Sequence, residues 1–204
     1  MKKRTIVLAA LCITCFSLYR CNTPSPNSTA GADSASSGND MYHGYASQSE
    51  WGKHLVTVGA CGDCHTPKKL GARGPEDDSS LLLSGHPAQM PVASISKEEL
   101  AKGVAATTDL TGWVGPWGTS YAANITPDST GIGAWSEQQF ITCIRQGLFK
   151  GLPGSRPIMP PMPVNSFRNF SDDELKAIFA YLKTVQPVHN VVPDYQPPAG
   201  APKQ

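Results

Sequence analysis

Large charge excess, internal repeats and long apolar runs are all missing from this chain. Its 17 Lys and Arg nearly balance its 16 Asp and Glu. No basic cluster stands out, which argues against a nucleic-acid partner. No internal repeat is present, so a solenoid or a tandem array of modules is excluded. The one sustained apolar stretch, Thr5 to Tyr19, is 15 residues long and too short for a comfortable membrane span. Beyond that stretch there is only one C-x-x-C, Cys61 to Cys64, with no second pair and no H-x3-5-H to complete a zinc site. Cys143, His43, His54, His86 and His189 are not spaced to supply one. Nor does an alternating strand pattern surround the pair, as a thioredoxin-like redox motif would require.

The N-terminus has a clear pattern. Lys2, Lys3 and Arg4 precede the apolar stretch, the arrangement of a secretory signal. Cys12 and Cys15 lie inside it and leave with it. Two cleavage points compete. Leu18-Tyr19-Arg20-Cys21 resembles a lipobox with Cys21 as a candidate lipid anchor, although Arg20 is a poor residue before the scissile bond; cleavage after Ala30 is the rival. The expected organisation is a signal over 1–21, a flexible linker over 22–41, one domain over 42–187 and a Pro-rich tail over 188–204. Four of the 17 cationic residues precede Cys21 and every acidic one follows it, so the exported chain has 13 against 16, a net charge of −3.

The most informative run is Cys61-Gly62-Asp63-Cys64-His65. C-x-x-C-H is the attachment signature of c-type haem. Two thiols at this spacing suit thioether bonds to the two vinyl groups of one porphyrin, and the adjoining His suits the proximal iron position. The chain has one such run, which implies one covalent haem c. Export agrees with this, because such haem is attached outside the cytoplasm. For a sixth ligand the residues leave three choices open: Met159 and Met162, both in the proline-stiffened Arg156–Pro163 segment, and Met90. A His/Met pair suits electron transfer, whereas an open or displaceable sixth position would suit a haem enzyme or a gas sensor. A two-haem peroxidase would need a second C-x-x-C-H, and a sensor would need an output module. His86 reads as a solvated loop residue and Cys143 as a small buried hydrophobe.

Helix signals outnumber strand signals, so the expected fold is all-α, with four to five helices and long Gly/Pro-rich loops. Ser47 to Val58 forms a first helix with Trp51, Leu55 and Val58 on its apolar face. Ser136 with Gln139 starts a second, which stops at Gly147; Ser171 with Glu174 starts a third, carrying Leu175, Ile178, Phe179 and Leu182. A weaker helix begins at Ser96, capped by Glu99. Leu81 to Gly112 has no evident role.

Four blocks give the chain a family likeness: Leu55–Pro67, Gly115–Asp128, Gly131–Trp135, and Arg156–Pro163 together with Leu175–Leu182. With them the chain resembles class I c-type cytochromes, above all the cytochrome domains of periplasmic alcohol and gluconate dehydrogenases. The resemblance implies that Met162 ligates iron opposite His65 and that the first helix crosses the last. It also implies that the Asn124–Pro127 segment lies along the haem edge near a propionate. It suggests a Pro75 carbonyl as the acceptor for the His65 Nδ1–H, and Trp117 and Tyr121 as haem-wall or propionate contacts. Redox proteins, a dehydrogenase or an oxidase among them, are the implied partners.

Overall fold

In chain order the elements are helices α1 (Gln48–Val58) and α2 (Cys61–His65), strands β1 (Lys68–Gly71) and β2 (Gly74–Asp77), and helix α3 (Lys97–Leu100). Strands β3 (Ala105–Ala106), β4 (Gly112–Gly115) and β5 (Gly118–Tyr121) follow, then helices α4 (Glu137–Gln146), α5 (Val164–Phe167) and α6 (Asp172–Leu182). This computed structural model describes residues 40–92 and 95–198. The expected signal sequence, Cys21 and Ala30 lie outside the described residues. Among those residues no helix is long and apolar enough to cross a membrane.

Serines start the three long helices. The hydroxyls of Ser47, Ser136 and Ser171 accept from the backbone N–H of Glu50, Gln139 and Glu174, satisfying donors that a helix start would otherwise leave unpaired. At α6 the box is reciprocal, because Glu174 accepts from the Ser171 N–H at 2.7 Å. At α4 it is not: Gln139 donates instead to the Lys150 carbonyl at 2.8 Å. Gly147 ends α4 in the left-handed region, where a glycine costs least.

The core forms where α1 crosses α6, as the resemblance implied. Gly52 makes the crossing possible: a Cβ there would stand 1.8 Å from the Ala177 carbonyl oxygen. The helices therefore meet backbone to backbone, and Trp51, Leu55, Val56, Leu175, Ile178, Phe179 and Leu182 fill the space around that contact. Val58 is not on this face. It is 62% exposed, and Val56 is buried in its place. Pivoting the buried stripe on Gly52 selects its neighbours one position back and three and four positions on.

The all-α expectation is wrong. Among the described residues five short strands form two antiparallel sheets, β1-β2 and β3-β4-β5, beside six α-helices, three of them only four or five residues long. Two-residue turns close both β1-β2 and β4-β5, with Gly71 opposite Gly74 and Gly115 opposite Gly118. The physical reason is backbone accounting. Gly/Pro-rich loops cannot bond internally as helices, so their N–H and C=O groups pair across hairpins. Leu81 to Gly112 also has a role in the core: Leu83, Ser84 and His86 are buried, and the Ile125 N–H donates to the Leu83 carbonyl.

Candidate functional site

Helix α2 presents Cys61, Cys64 and His65 within one and a half turns. Ala60, in the left-handed conformation, turns the chain sharply out of α1 and starts α2. The far end is held by a cation. Lys68 Nζ donates to the carbonyls of Gly62 (3.0 Å), Asp63 (3.0 Å) and Thr66 (2.5 Å), and pairs with Asp77 Oδ1 at 3.0 Å. A five-residue helix leaves most of its carbonyls without internal partners; this ammonium takes the Asp63 carbonyl, the Thr66 carbonyl just past the helix, and a second bond to Gly62, which already accepts from the Thr66 N–H. Buried Thr66 accepts from the Leu83 N–H, and Gly85 N–H donates to the His65 carbonyl at 2.8 Å.

His65 is buried, and its Nδ1 lies 2.7 Å from the Ala123 carbonyl oxygen. A carbonyl only accepts, so Nδ1 carries the proton and Nε2 keeps its lone pair. Burial lowers the pKa of the ring below the usual His value, which keeps it neutral. Among the described residues no buried side-chain nitrogen or oxygen lacks a partner. Nε2 has no protein partner, so it keeps some accessible surface on an otherwise buried ring. The acceptor is therefore Ala123 and not Pro75, which corrects the expectation from the resemblance. Pro75 lies exposed on β2, opposite Leu70, where the hairpin carries it away from the imidazole.

Ala123 owes its position to its neighbours. Ala122 accepts from the His86 N–H at 2.9 Å. Asn124 is buried, and its amide is fully engaged. Oδ1 accepts from the Thr126 N–H (3.0 Å) and hydroxyl (2.8 Å), while Nδ2 donates to Thr130 Oγ1 (3.0 Å) and the Val188 carbonyl (2.8 Å). Nothing is left over for a propionate. These bonds anchor the residue that directly follows Ala123 in the chain. Trp117 likewise spends its indole N–H on Ser120 Oγ at 3.1 Å, and Ser120 donates to the Pro160 carbonyl at 2.5 Å. The expected propionate donor instead ties the β4-β5 hairpin to the Met159/Met162 segment. Tyr121 is half-buried against His86, with ring centroids 4.8 Å apart.

His86 overturns the solvated-loop reading. It is wholly buried, with Nε2–H donating to the Met90 carbonyl (2.9 Å) and Nδ1 2.8 Å from Thr111 Oγ1. Both ring nitrogens are occupied, so it is not poised as an iron ligand. Met159 and Met162 are both half-buried. Their segment is anchored at its base by Ile158 N–H donating to the Gly147 carbonyl (2.8 Å) and Phe149 N–H to the Arg156 carbonyl (2.9 Å).

The thiols themselves narrow the chemistry. Cys61 and Cys64 are free and half-buried. Desolvation pushes Cys61 up to about 11 and raises Cys64 as well. A redox-active C-x-x-C needs the opposite, a thiol depressed toward thiolate. Among the described residues no three His, Cys, Asp or Glu side chains converge as a protein-only metal cage. Two uncharged thiols and a neutral imidazole with a free Nε2 are the donor set that covalent haem c requires, and these residues fit it.

A family model described as Cytochrome c matches residues 49–186. A nicotinate dehydrogenase subunit of Pseudomonas putida is 32% identical over 152 residues, 74% of this chain and 10% of that one. The gluconate 2-dehydrogenase cytochrome c subunit of Pantoea cypripedii is 39% identical over 79 residues, 38% of this chain and 16% of its own length. The cytochrome c subunit of an alcohol dehydrogenase (quinone) from Gluconobacter oxydans is 37% identical over 83 residues, 39% and 17% respectively. The chain thus spans at most about a sixth of the length of these relatives.

Proposed function

The chain belongs to the cytochrome c family, an electron-carrier family with covalent haem c, and from that premise we propose that it is an exported mono-haem carrier in which His65 and Met162 would hold the iron. The bond from His65 Nδ1–H to the Ala123 carbonyl carries this reading, because it leaves a neutral Nε2 without a protein partner on the same short helix as two free thiols. When bound, haem c supplies a one-electron couple; the residues hold, orient and shield it. Cys61 and Cys64 would anchor it through thioether bonds. His65 is held in one tautomer by Ala123, and the saturated amide of Asn124 anchors the backbone next to Ala123. Lys68 keeps α2 from unwinding and places a fixed positive charge beside it. The α1–α6 crossing at Gly52 gives that assembly a rigid floor, so little of the protein needs to rearrange when charge changes.

A dehydrogenase is the proposed electron donor, supported by the names of all three relatives. Docking would be weak and transient, as electron-transfer encounters are. The N-terminal residues are proposed to direct export, with Cys21 as a lipid tether and 22–41 as its spacer. A far-red ferric absorption band is the signature of thioether ligation, and Met162→Ala is expected to abolish it. Survival of the band in that variant would move the ligand to Met159 or Met90. A high-spin spectrum of the untreated protein, with fast CO binding once reduced, would favour an enzyme or a sensor. Intact mass of the mature protein reports acylation at Cys21.

A further inference from the structure

Among the described residues after α6, 183–198, the chain is proline-rich and forms no helix, yet backbone and side-chain hydrogen bonds tie it to the rest of the domain. Val188 N–H donates to Thr126 Oγ1 (3.2 Å) and Asn190 N–H to Thr130 Oγ1 (3.0 Å). The Asn190 side chain donates to the Ser84 and His86 carbonyls (2.8 and 2.9 Å) and accepts from the Ala88 N–H. Further on, Gln196 pairs antiparallel with Thr119, exchanging N–H and carbonyl at 2.8 and 3.0 Å, and so extends the β4-β5 edge. Gly118 permits this approach: a Cβ there would stand 2.1 Å from the Gln196 carbonyl oxygen.

Between these anchors sits Tyr195. Its hydroxyl donates to the Trp117 carbonyl at 2.5 Å. Its ring lies 5.1 Å from the Arg156 guanidinium, which is 3.8 Å over the Phe149 ring on another side. Two aromatic faces thus hold a half-buried cation, a contact that strengthens as water is excluded. Arg156 is the first residue of the Arg156–Pro163 segment, and the Trp117 hairpin reaches the same segment through Ser120 and the Pro160 carbonyl. Tyr195 therefore touches both supports of the segment that carries Met162. Val191 is 64% exposed, and the tail's Val188, Val192 and Pro193 are only half-buried. Val188 and Asn190 fix the near end of the tail, and Tyr195 and Gln196 carry its far end onto these two supports.

We infer that Tyr195 and Gln196 are positioning residues for Met162: the C-terminal strap clamps Arg156 and the β4-β5 hairpin, and through them holds the thioether segment closed. This rests on the proposed ligation by Met162. Opening the clamp raises the population of a locally unfolded segment without unfolding α1, α4 or α6.

The test uses the full-length, haem-loaded protein with Tyr195→Ala, Tyr195→Phe and Gln196→Pro. Two readouts are taken: the rate at which cyanide binds the ferric form, and amide hydrogen exchange at Ile158 and Val164. The second does not depend on the haem. Tyr195→Ala and Gln196→Pro should each speed both by about tenfold or more, with helix content unchanged. Tyr195→Phe keeps the ring over Arg156 and should fall between wild type and Tyr195→Ala. Wild-type cyanide rates and wild-type exchange in both Tyr195→Ala and Gln196→Pro would overturn the inference. Met162→Ala separates the two levels. If it abolishes the far-red band while the strap variants behave as wild type, only the clamp fails. If the band survives it, the ligand assignment fails, and faster exchange in the strap variants would still report a clamp on the segment.

Discussion

Replacing Lys68 by Met should destabilise the protein far more than a surface lysine substitution. The Lys68 side chain is 10% exposed, although its partner Asp77 is 57% exposed. Most of the effect therefore comes from the carbonyls and not from the ion pair. Asp63 offers its carbonyl at the surface, where water can replace the ammonium, so its loss costs little. The Gly62 and Thr66 carbonyls are part-buried and would lose their charged donor. At roughly 1–2 kcal/mol for each, the loss is about 2–4 kcal/mol. The exposed ion pair adds under about 1 kcal/mol. For a body of this size that corresponds to a fall in Tm of roughly 5–15 °C. Lys69→Met is the control, because Lys69 is 59% exposed and only 4.0 Å from Asp78; its change should stay within about 0.5 kcal/mol. Thermal unfolding of both haem-loaded variants, followed by far-UV circular dichroism, makes the comparison. Equal Tm values for the two would refute the idea that Lys68 cages the end of α2.

Other perturbations probe the rest of the scaffold. Gly52→Ala drives a Cβ into the Ala177 carbonyl and should cost about 3 kcal/mol in denaturant unfolding, whereas at Gly62 the nearest atom is an ordinary 3.5 Å away and Ala should be tolerated. Asn124→Ala strands the buried Thr126 N–H and takes one donor from the Val188 carbonyl, for a loss of about 2–4 kcal/mol by the same measurement. Burial pushes the Cys143 thiol up to about 11. A neutral acid whose pKa is raised by folding stabilises below its unfolded value and loses that contribution as pH rises through the folded one. Wild type should therefore lose about 2–3 kcal/mol relative to Cys143→Ala between about pH 9 and pH 11, and iodoacetamide should label Cys143 only after unfolding. Parallel pH–stability curves for the two proteins would contradict this.

The three long helices were legible in the sequence because each has a local signal, and the candidate attachment run is equally local. Ser47, Ser136 and Ser171 cap from three residues away, and Cys61, Cys64 and His65 lie within five consecutive residues. Groups that support them from a distance have no such signal. The acceptor for His65 lies 58 residues on, at an alanine whose side chain says nothing about its carbonyl. Lys68, four residues past Cys64, reads as an ordinary surface lysine until the hairpin folds its stem inward. Strands β1 and β4 escaped notice because four residues containing Gly show no usable alternation. His86 read as solvated because Ser84-Gly85-His86-Pro87 is turn-like; its burial depends on Thr111, Met90 and Asn190, all supplied by other segments. Tyr195 and Asn190 read as tail residues for the same reason: their partners are Trp117 and the Ser84–His86 loop.

Covalent haem at Cys61 and Cys64 is tested most directly by the mass of the peptide containing Cys61 to His65, taken from protein matured in a host that attaches c-type haem. The expected result is a gain of one haem on that peptide, stable to acid acetone and absent when both cysteines are replaced by alanine. An unmodified peptide from such a host, with both thiols free to alkylation, would contradict it.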